Sequence, residues 1–90
     1  MLHQELEFRG ITREHLGMYF VELGGKQITE HFPFVYQSED WYGEIVYEEE
    51  ISITSTFKVN AVYIRFYAAD DITLNQLIKD YRVKTRRIGG

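Results

Sequence analysis

The chain of 90 residues contains no cysteine and a single proline. Without cysteine it can form no disulfide, thiolate nucleophile or cysteine-ligated zinc or iron–sulfur site. No apolar run approaches the ~20 residues that a membrane-spanning helix needs, and the first ten residues, MLHQELEFRG, are too polar for a signal peptide. The sequence therefore predicts a cytoplasmic protein with no membrane partner.

Positive charge is also scarce, because 10 lysines and arginines face 14 aspartates and glutamates, for a net charge of −4. Non-specific nucleic-acid binding depends on a basic surface, so the composition disfavours a nucleic-acid partner. The charges are clustered, and each cluster fits either a solvated strand edge or helix terminus, or a partner-binding surface. The acidic cluster is Glu39, Asp40, Glu44 and Glu48–Glu50, and the basic cluster is Lys79, Arg82, Lys84, Arg86 and Arg87.

Hydrophobic residues make up 44% of the chain and aromatic residues 16%, which is enough for one packed domain over residues 1–90. One helix is predicted over 12–24, because Thr12 can cap its N-terminus and Gly24 its C-terminus. A second is predicted over 72–85. Both show apolar residues at i, i+3, i+4 and i+7: Leu16, Tyr19, Phe20 and Leu23, then Leu74, Leu77, Ile78 and Tyr81.

The remaining segments have β patterns. Residues 6–11 predict a first strand, and Pro33 predicts that any strand around it lies at a sheet edge, because proline cannot donate a ladder hydrogen bond. Residues 41–68 predict two or three antiparallel strands, with a loop before them at 37–40. The apolar and aromatic residues of this stretch change from odd to even numbers, which requires a break near Asn60–Ala61. They are Ile45, Tyr47, Ile51, Ile53, Phe57 and Val59, then Val62, Ile64 and Phe66. A second break is expected between Glu49 and Thr56.

The order of these elements predicts an α+β fold. We expect an antiparallel sheet of four to five strands in βαβββ(β)α order, with the two helices on one face. That arrangement leaves the other face of the sheet open to a binding partner.

Three stretches of the sequence resemble a known family. They are GMYFVELGG at 17–25, EIVYEEEISITSTFKVNAVYIRFYAADD at 44–71, and the final helix with its basic Gly-Gly end. Together they are similar to the C-terminal accessory domain of MoaD-related proteins, which are relatives of the small subunit of molybdopterin synthase. The resemblance extends from about Leu6 to Gly90.

The resemblance implies a TATA-box-binding-protein-like fold, in which helices back an antiparallel sheet. In such proteins a ubiquitin-like sulfur-carrier domain precedes the accessory domain, so the expectation here is an accessory domain standing alone. The implied function is that of a non-enzymatic binding or interaction domain linked to molybdenum-cofactor biosynthesis or to sulfur-carrier proteins.

The closing residues RRIGG suggest an alternative function. Arg86, Arg87, Gly89 and Gly90 are candidates for a flexible basic tail at 86–90, whose terminal carboxylate an adenylating enzyme could convert to a thiocarboxylate, as in a sulfur or modifier carrier. Carrier folds, however, present the tail from a final strand, whereas a helix precedes it here. Two glycines also fit a helix cap followed by a disordered end.

No catalytic, cofactor-binding or metal-ligating residue is predicted. The three histidines, His3, His15 and His31, lack the spacing of a metal motif. No serine has the context of a hydrolase nucleophile, and Glu48 and Glu50 are typical of a solvated strand face. Gly24–Gly25 ends a helix, where carbonyl groups rather than amides would meet an anion. The sequence therefore disfavours an enzyme.

The candidate binding residues are Tyr63, Arg65 and Tyr67, which alternate with Val62, Ile64 and Phe66 and so belong to the open face. Tyrosine and arginine are enriched at protein interfaces, so this row predicts dimerisation or a protein partner. The alternative is that they are β-forming residues on a wet face. Binding of a small molecule between sheet and helices stays open as well.

Overall fold

The computed structural model describes the backbone of residues 1–89 and the side chains of residues 1–86. Five strands form one antiparallel sheet in the order β1-β5-β4-β3-β2. The α+β fold and its βαββββα order are thereby confirmed. The elements are β1 Leu2–Arg9, α1 Arg13–Glu22, β2 Lys26–Gln27, β3 Phe34–Gln37, β4 Trp41–Ser52, β5 Lys58–Ala68 and α2 Asp71–Gly89.

Both ends of α1 follow the predicted chemistry. The hydroxyl of Thr12 accepts a hydrogen bond from the N–H of His15 at 3.3 Å, which confirms the N-cap. Gly24 adopts a φ of 103°, and the N–H of Gly25 donates to the carbonyl of Phe20 at 2.8 Å. A glycine in the left-handed region is the usual way to close a helix, so the helix ends where the sequence predicts.

Helix α2 begins as predicted and runs further. The Asp70 carboxylate accepts the N–H of Thr73 at 2.7 Å, and this bond lowers the pKa of Asp70. The predicted end at residue 85 was too early, since α2 continues to Gly89. Arginine is a good helix former, and no proline stops the chain. The tail predicted as flexible over 86–90 is therefore helical in its backbone up to Gly89, and Gly90 lies outside the described residues.

Two strands differ from the prediction. β1 starts at Leu2 rather than at residue 6, because pairing with residues 61–68 of β5 stabilises a polar segment that lacks apolar alternation. β3 begins directly after Pro33 and was expected at an edge. It is covered instead by the two-residue strand β2, so the position of Pro33 before the strand leaves all of β3 free to pair.

The expected break near Asn60–Ala61 is wrong, because β5 pairs without interruption. The change of phase lies in β4 instead: Ile45 pairs with Ile64 and Tyr47 with Tyr63, which leaves Val46 as an extra residue in a bulge. The second expected break is confirmed as the turn between β4 and β5. There the N–H of Ile53 donates to the carbonyl of Phe57 at 2.8 Å.

The hydrophobic core lies between the two helices and one face of the sheet. Phe20 is fully buried, and its ring centroid lies 4.5 Å from that of Tyr81 and 5.6 Å from that of Phe66. The Tyr81 hydroxyl donates to the carbonyl of Leu16 at 2.6 Å and so ties α2 to α1. A Cβ at Gly43 would overlap the Phe20 ring, so glycine is needed for this ring to sit against β4. Neither helix, over the described residues, is long and apolar enough to span a membrane.

Candidate functional site: the open face of the sheet

Three cross-strand rows from β1, β5 and β4 occupy the sheet face that the helices leave free. We call these nine residues the open face. The register aligns one residue of each strand in every row, and aromatic side chains dominate the two outer rows while charged ones form the middle row. The rows are His3–Tyr67–Tyr42, Glu5–Arg65–Glu44 and Glu7–Tyr63–Tyr47.

Two pairs of tyrosines stack across the β4–β5 boundary. The rings of Tyr42 and Tyr67 are 4.2 Å apart and inclined by 12°, and those of Tyr47 and Tyr63 are 4.4 Å apart and inclined by 18°. The His3 ring lies 5.6 Å from that of Tyr67 and extends this row onto β1. Such cross-strand aromatic pairs stabilise a sheet and restrict the rotamers of the rings involved.

Carboxylates accept hydrogen bonds from the tyrosines of β5. The Tyr67 hydroxyl donates to Glu44 at 3.0 Å, and the Tyr63 hydroxyl donates to Glu49 at 2.9 Å, with Glu7 further off at 3.4 Å. The bond to Glu49 and the neighbouring negative charge raise the pKa of Tyr63 well above that of an ordinary tyrosine. Both hydroxyls are therefore held as donors, and both rings are fixed in place.

The middle row is ionic. Arg65 Nε lies 2.8 Å from Glu5 Oε2, and this hydrogen bond raises the pKa of the guanidinium. Both side chains are more than 40% exposed, so the pair is screened by salt and contributes little to stability. The three rows together contain three carboxylates and one guanidinium, which makes the open face acidic.

The predicted residues Tyr63, Arg65 and Tyr67 all lie in the open face, as adjacent members of the three rows. Sequence reasoning missed their neighbours, because cross-strand partners depend on register. The bulge at Val46 brings Tyr47 to this face, although odd numbering had grouped Tyr47 with the core residue Ile45.

Beyond the open face, the turn between β4 and β5 presents further apolar side chains. Ile53 is 49% exposed and Phe57 is 55% exposed. Glu49 and Ile51 of β4 lie between this turn and Tyr47 of the open face.

The other sequence candidates do not come together. His3 lies on β1, His15 bonds to the Thr12 hydroxyl at 2.9 Å, and His31 lies in the loop before β3. Within residues 1–86, no three histidine or acidic side chains are grouped closely enough to hold a metal ion. Glu48 accepts a hydrogen bond from Asn60 at 2.9 Å, while Glu49 points to the opposite face of β4.

Comparison with known proteins adds one finding. A model of the family described as archaeal MoaD-like protein matches residues 4–90 of the chain. No significant match was found among curated proteins or among solved structures. The TATA-box-binding-protein-like fold that the resemblance implies thus stays a prediction, with which the order of elements is compatible.

Proposed function

The chain belongs to the archaeal MoaD-like family, and from this premise we propose that it is a non-catalytic interaction domain. Its open face binds a protein partner, or a second copy of the chain, in the context of molybdenum-cofactor biosynthesis or sulfur-carrier proteins. The family supports the context, and the open face supports the mode of action.

The observation that favours binding is the prior ordering of the tyrosines. A flexible side chain loses rotamer entropy when a partner immobilises it, at about 0.5–1.5 kcal/mol each. On the open face, stacking and hydrogen bonds to Glu44 and Glu49 have already ordered Tyr67 and Tyr63. A partner therefore gains aromatic contact area at a small entropic cost.

The charge of the open face indicates the chemistry of that partner. Glu5, Glu7 and Glu44 outnumber Arg65 there, so a surface with lysines or arginines fits best. Self-association would bring two acidic faces together. We therefore expect any self-association through this face to strengthen with salt, and binding of a basic partner to weaken with salt.

Site-specific photo-crosslinking in the native host tests the proposal. A photoreactive phenylalanine analogue at Tyr63 should give a defined crosslinked species, whereas the same analogue at Met18, which is exposed on α1, should not. The double variant Tyr63→Ser/Tyr67→Ser should lose any oligomer seen by light scattering. Absence of a crosslink from Tyr63, together with a molar mass that the double variant leaves unchanged, would refute binding through the open face.

The carrier function is the alternative, since the family match includes Gly89 and Gly90. A carrier needs an extended end that enters an adenylating enzyme, and the helical backbone up to Gly89 would have to unwind first. Deletion of Gly89 and Gly90 distinguishes the two functions. If the chain is an interaction domain, the truncated protein should still support the function that its cell requires. If it is a carrier, the truncated protein should lose that function, and the full-length protein should show the mass shift of a thiocarboxylate.

A further inference from the structure

A groove of about 580 Å³ runs between β1 and α2, on the opposite side of the sheet from the open face. Leu6 and Phe8 of β1 form its apolar floor, and both pack against the core. Lys79, Arg82 and Arg86 of α2 form its wall. The groove thus combines an apolar base with a positively charged side, which favours an amphipathic or acidic occupant.

Within residues 1–86, none of the three cations of this wall is in an ion pair. Glu7, which also lines the groove, pairs with Arg9 at 2.9 Å. Among the side chains that the structure describes, Lys84 is the one cation of α2 in an ion pair, at 2.7 Å from Glu22. Asp80 accepts a hydrogen bond from Gln76 and lies in a different depression of the surface. The positive charge along the groove is therefore available to a ligand.

β1 is an edge strand, and its outward backbone groups are unpaired within the described sheet. Gly10, just beyond β1, donates its N–H to the carbonyl of Asn60 at 3.0 Å. Since hydrogen-bonded pairs alternate along an antiparallel ladder, the even-numbered residues of β1 bond to β5. The N–H and C=O groups of His3, Glu5 and Glu7 consequently point away from the sheet.

We propose that the groove binds an extended acidic peptide segment of a partner protein, which adds to the sheet as an antiparallel strand beside β1. The backbone of the segment pairs with His3, Glu5 and Glu7. Its acidic side chains occur at every second residue and contact Lys79, Arg82 and Arg86. The residues between them point to the other side of the sheet, where Arg65 and Arg9 already pair with Glu5 and Glu7.

The alternation of hydrogen-bonded pairs along the ladder specifies which amides of the peptide bond to β1. In an antiparallel ladder, a residue opposite an outward-pointing residue of β1 exchanges both hydrogen bonds with it. The side chains of His3, Glu5 and Glu7 lie on the open-face side, so the bonded residues of the peptide are the non-acidic ones. The amides of its acidic residues point to solvent.

A fluorescent octapeptide of alternating threonine and glutamate is the probe, and anisotropy with the full chain measures its binding. Methylation of two central threonine amides should weaken binding at least about tenfold, because each removes a donor and adds bulk toward β1. Methylation of two central glutamate amides should leave the affinity unchanged. The same peptide with lysine in place of glutamate should not bind.

Charge-neutralising variants test the wall of the groove. Lys79→Gln/Arg82→Gln should weaken binding about two- to thirtyfold, since exposed ion pairs contribute modestly. The matched control Lys26→Gln/Lys58→Gln, with both sites on other strands, should bind as the parent does. Hydrogen exchange at the amides of His3, Glu5 and Glu7 should slow when peptide is present.

Three results would overturn the proposal. They are equal binding of the two methylated peptides, equal effects of the two double variants, and tighter binding of a thymidine oligonucleotide than of the acidic peptide. The last would assign the groove to nucleic acid. None of these results bears on crosslinking from Tyr63, so this proposal and that for the open face can fail separately.

Discussion

Strand β5 places Phe66 and Tyr67 side by side in the chain and on opposite faces of the sheet. Phe66 is fully buried under the helices, in ring contact with Phe20 and Tyr81. Tyr67 stacks on Tyr42 in the open face and donates its hydroxyl to Glu44. The same strand therefore supplies aromatic rings to two environments that constrain them differently.

Close packing holds the aromatic rings of the covered face in place. On the open face, stacking on a neighbouring ring and hydrogen bonds to glutamates hold them. Under the helices, close packing fixes each ring on all sides, and removal of one ring leaves a cavity. On the open face, water fills any gap, so the order depends on stacking and on hydrogen bonds to glutamates. The covered face supplies most of the stability, while pairwise contacts hold the exposed rings of the open face in fixed positions.

Truncation of Phe66 and of Tyr67, which are adjacent in β5, should give the largest difference in the free energy of unfolding. Phe66→Ala should lower the free energy of unfolding by about 3–5 kcal/mol, because it opens a cavity beside Phe20 and Tyr81. Tyr67→Ala should cost about 1 kcal/mol, from the lost cross-strand pair. Urea unfolding of both variants measures this, and equal losses would contradict the proposed division between the faces.

Removal of a tyrosine hydroxyl within the covered face should give the next largest effect on stability. Tyr81→Phe should cost about 1 kcal/mol, because it removes the buried hydrogen bond to Leu16. The Tyr19 hydroxyl is also buried but has no hydrogen-bond partner among the described residues. Tyr19→Phe should thus leave stability unchanged or raise it. The two rings are 5.9 Å apart, which makes them matched controls, and the opposite order of stabilities would refute this assignment.

The smallest expected effect is the pH response of the open face. The bond to Glu49 raises the pKa of Tyr63 above the ordinary value of 10.0, so the folded state favours the neutral phenol. The resulting stability is complete below the unfolded pKa and is lost as pH rises through the folded pKa. Between about pH 9 and about pH 11, Tyr63→Phe should lose less stability than the parent chain. An equal loss of stability in Tyr63→Phe and in the parent chain would show that Glu49 does not stabilise the neutral form of Tyr63.

Periodicity was sufficient to predict both helices, because their apolar stripes and caps are local signals. Thr12 and Gly24 fix the ends of α1 within a residue or two of the prediction. The row of Tyr63, Arg65 and Tyr67 was found in the same way, since alternation along one strand needs no partner. Features that a single segment determines by itself could therefore be predicted from the sequence.

The rest of the open face depends on register, which no single segment contains. Tyr47 and Ile51 are β-forming residues that suit either face, so their odd numbering gave no warning of the bulge at Val46. Glu5 and Glu7 looked like a polar chain end rather than a strand. Their pairing with Arg65 and Tyr63 joins residues that are 60 and 56 positions apart in the sequence. The groove beside α2 depends equally on this pairing.

The bulge in β4 has a consequence for how this surface can change over evolutionary time. Loss of the one codon for Val46 would make the ladder regular, because Ile45 opposite Ile64 would be followed directly by Tyr47 opposite Tyr63. The side chains of β4 beyond this point would keep their present faces. The stack of Tyr47 on Tyr63 would therefore remain. A deletion at this one position can thus be inherited without exchanging the two faces of the sheet.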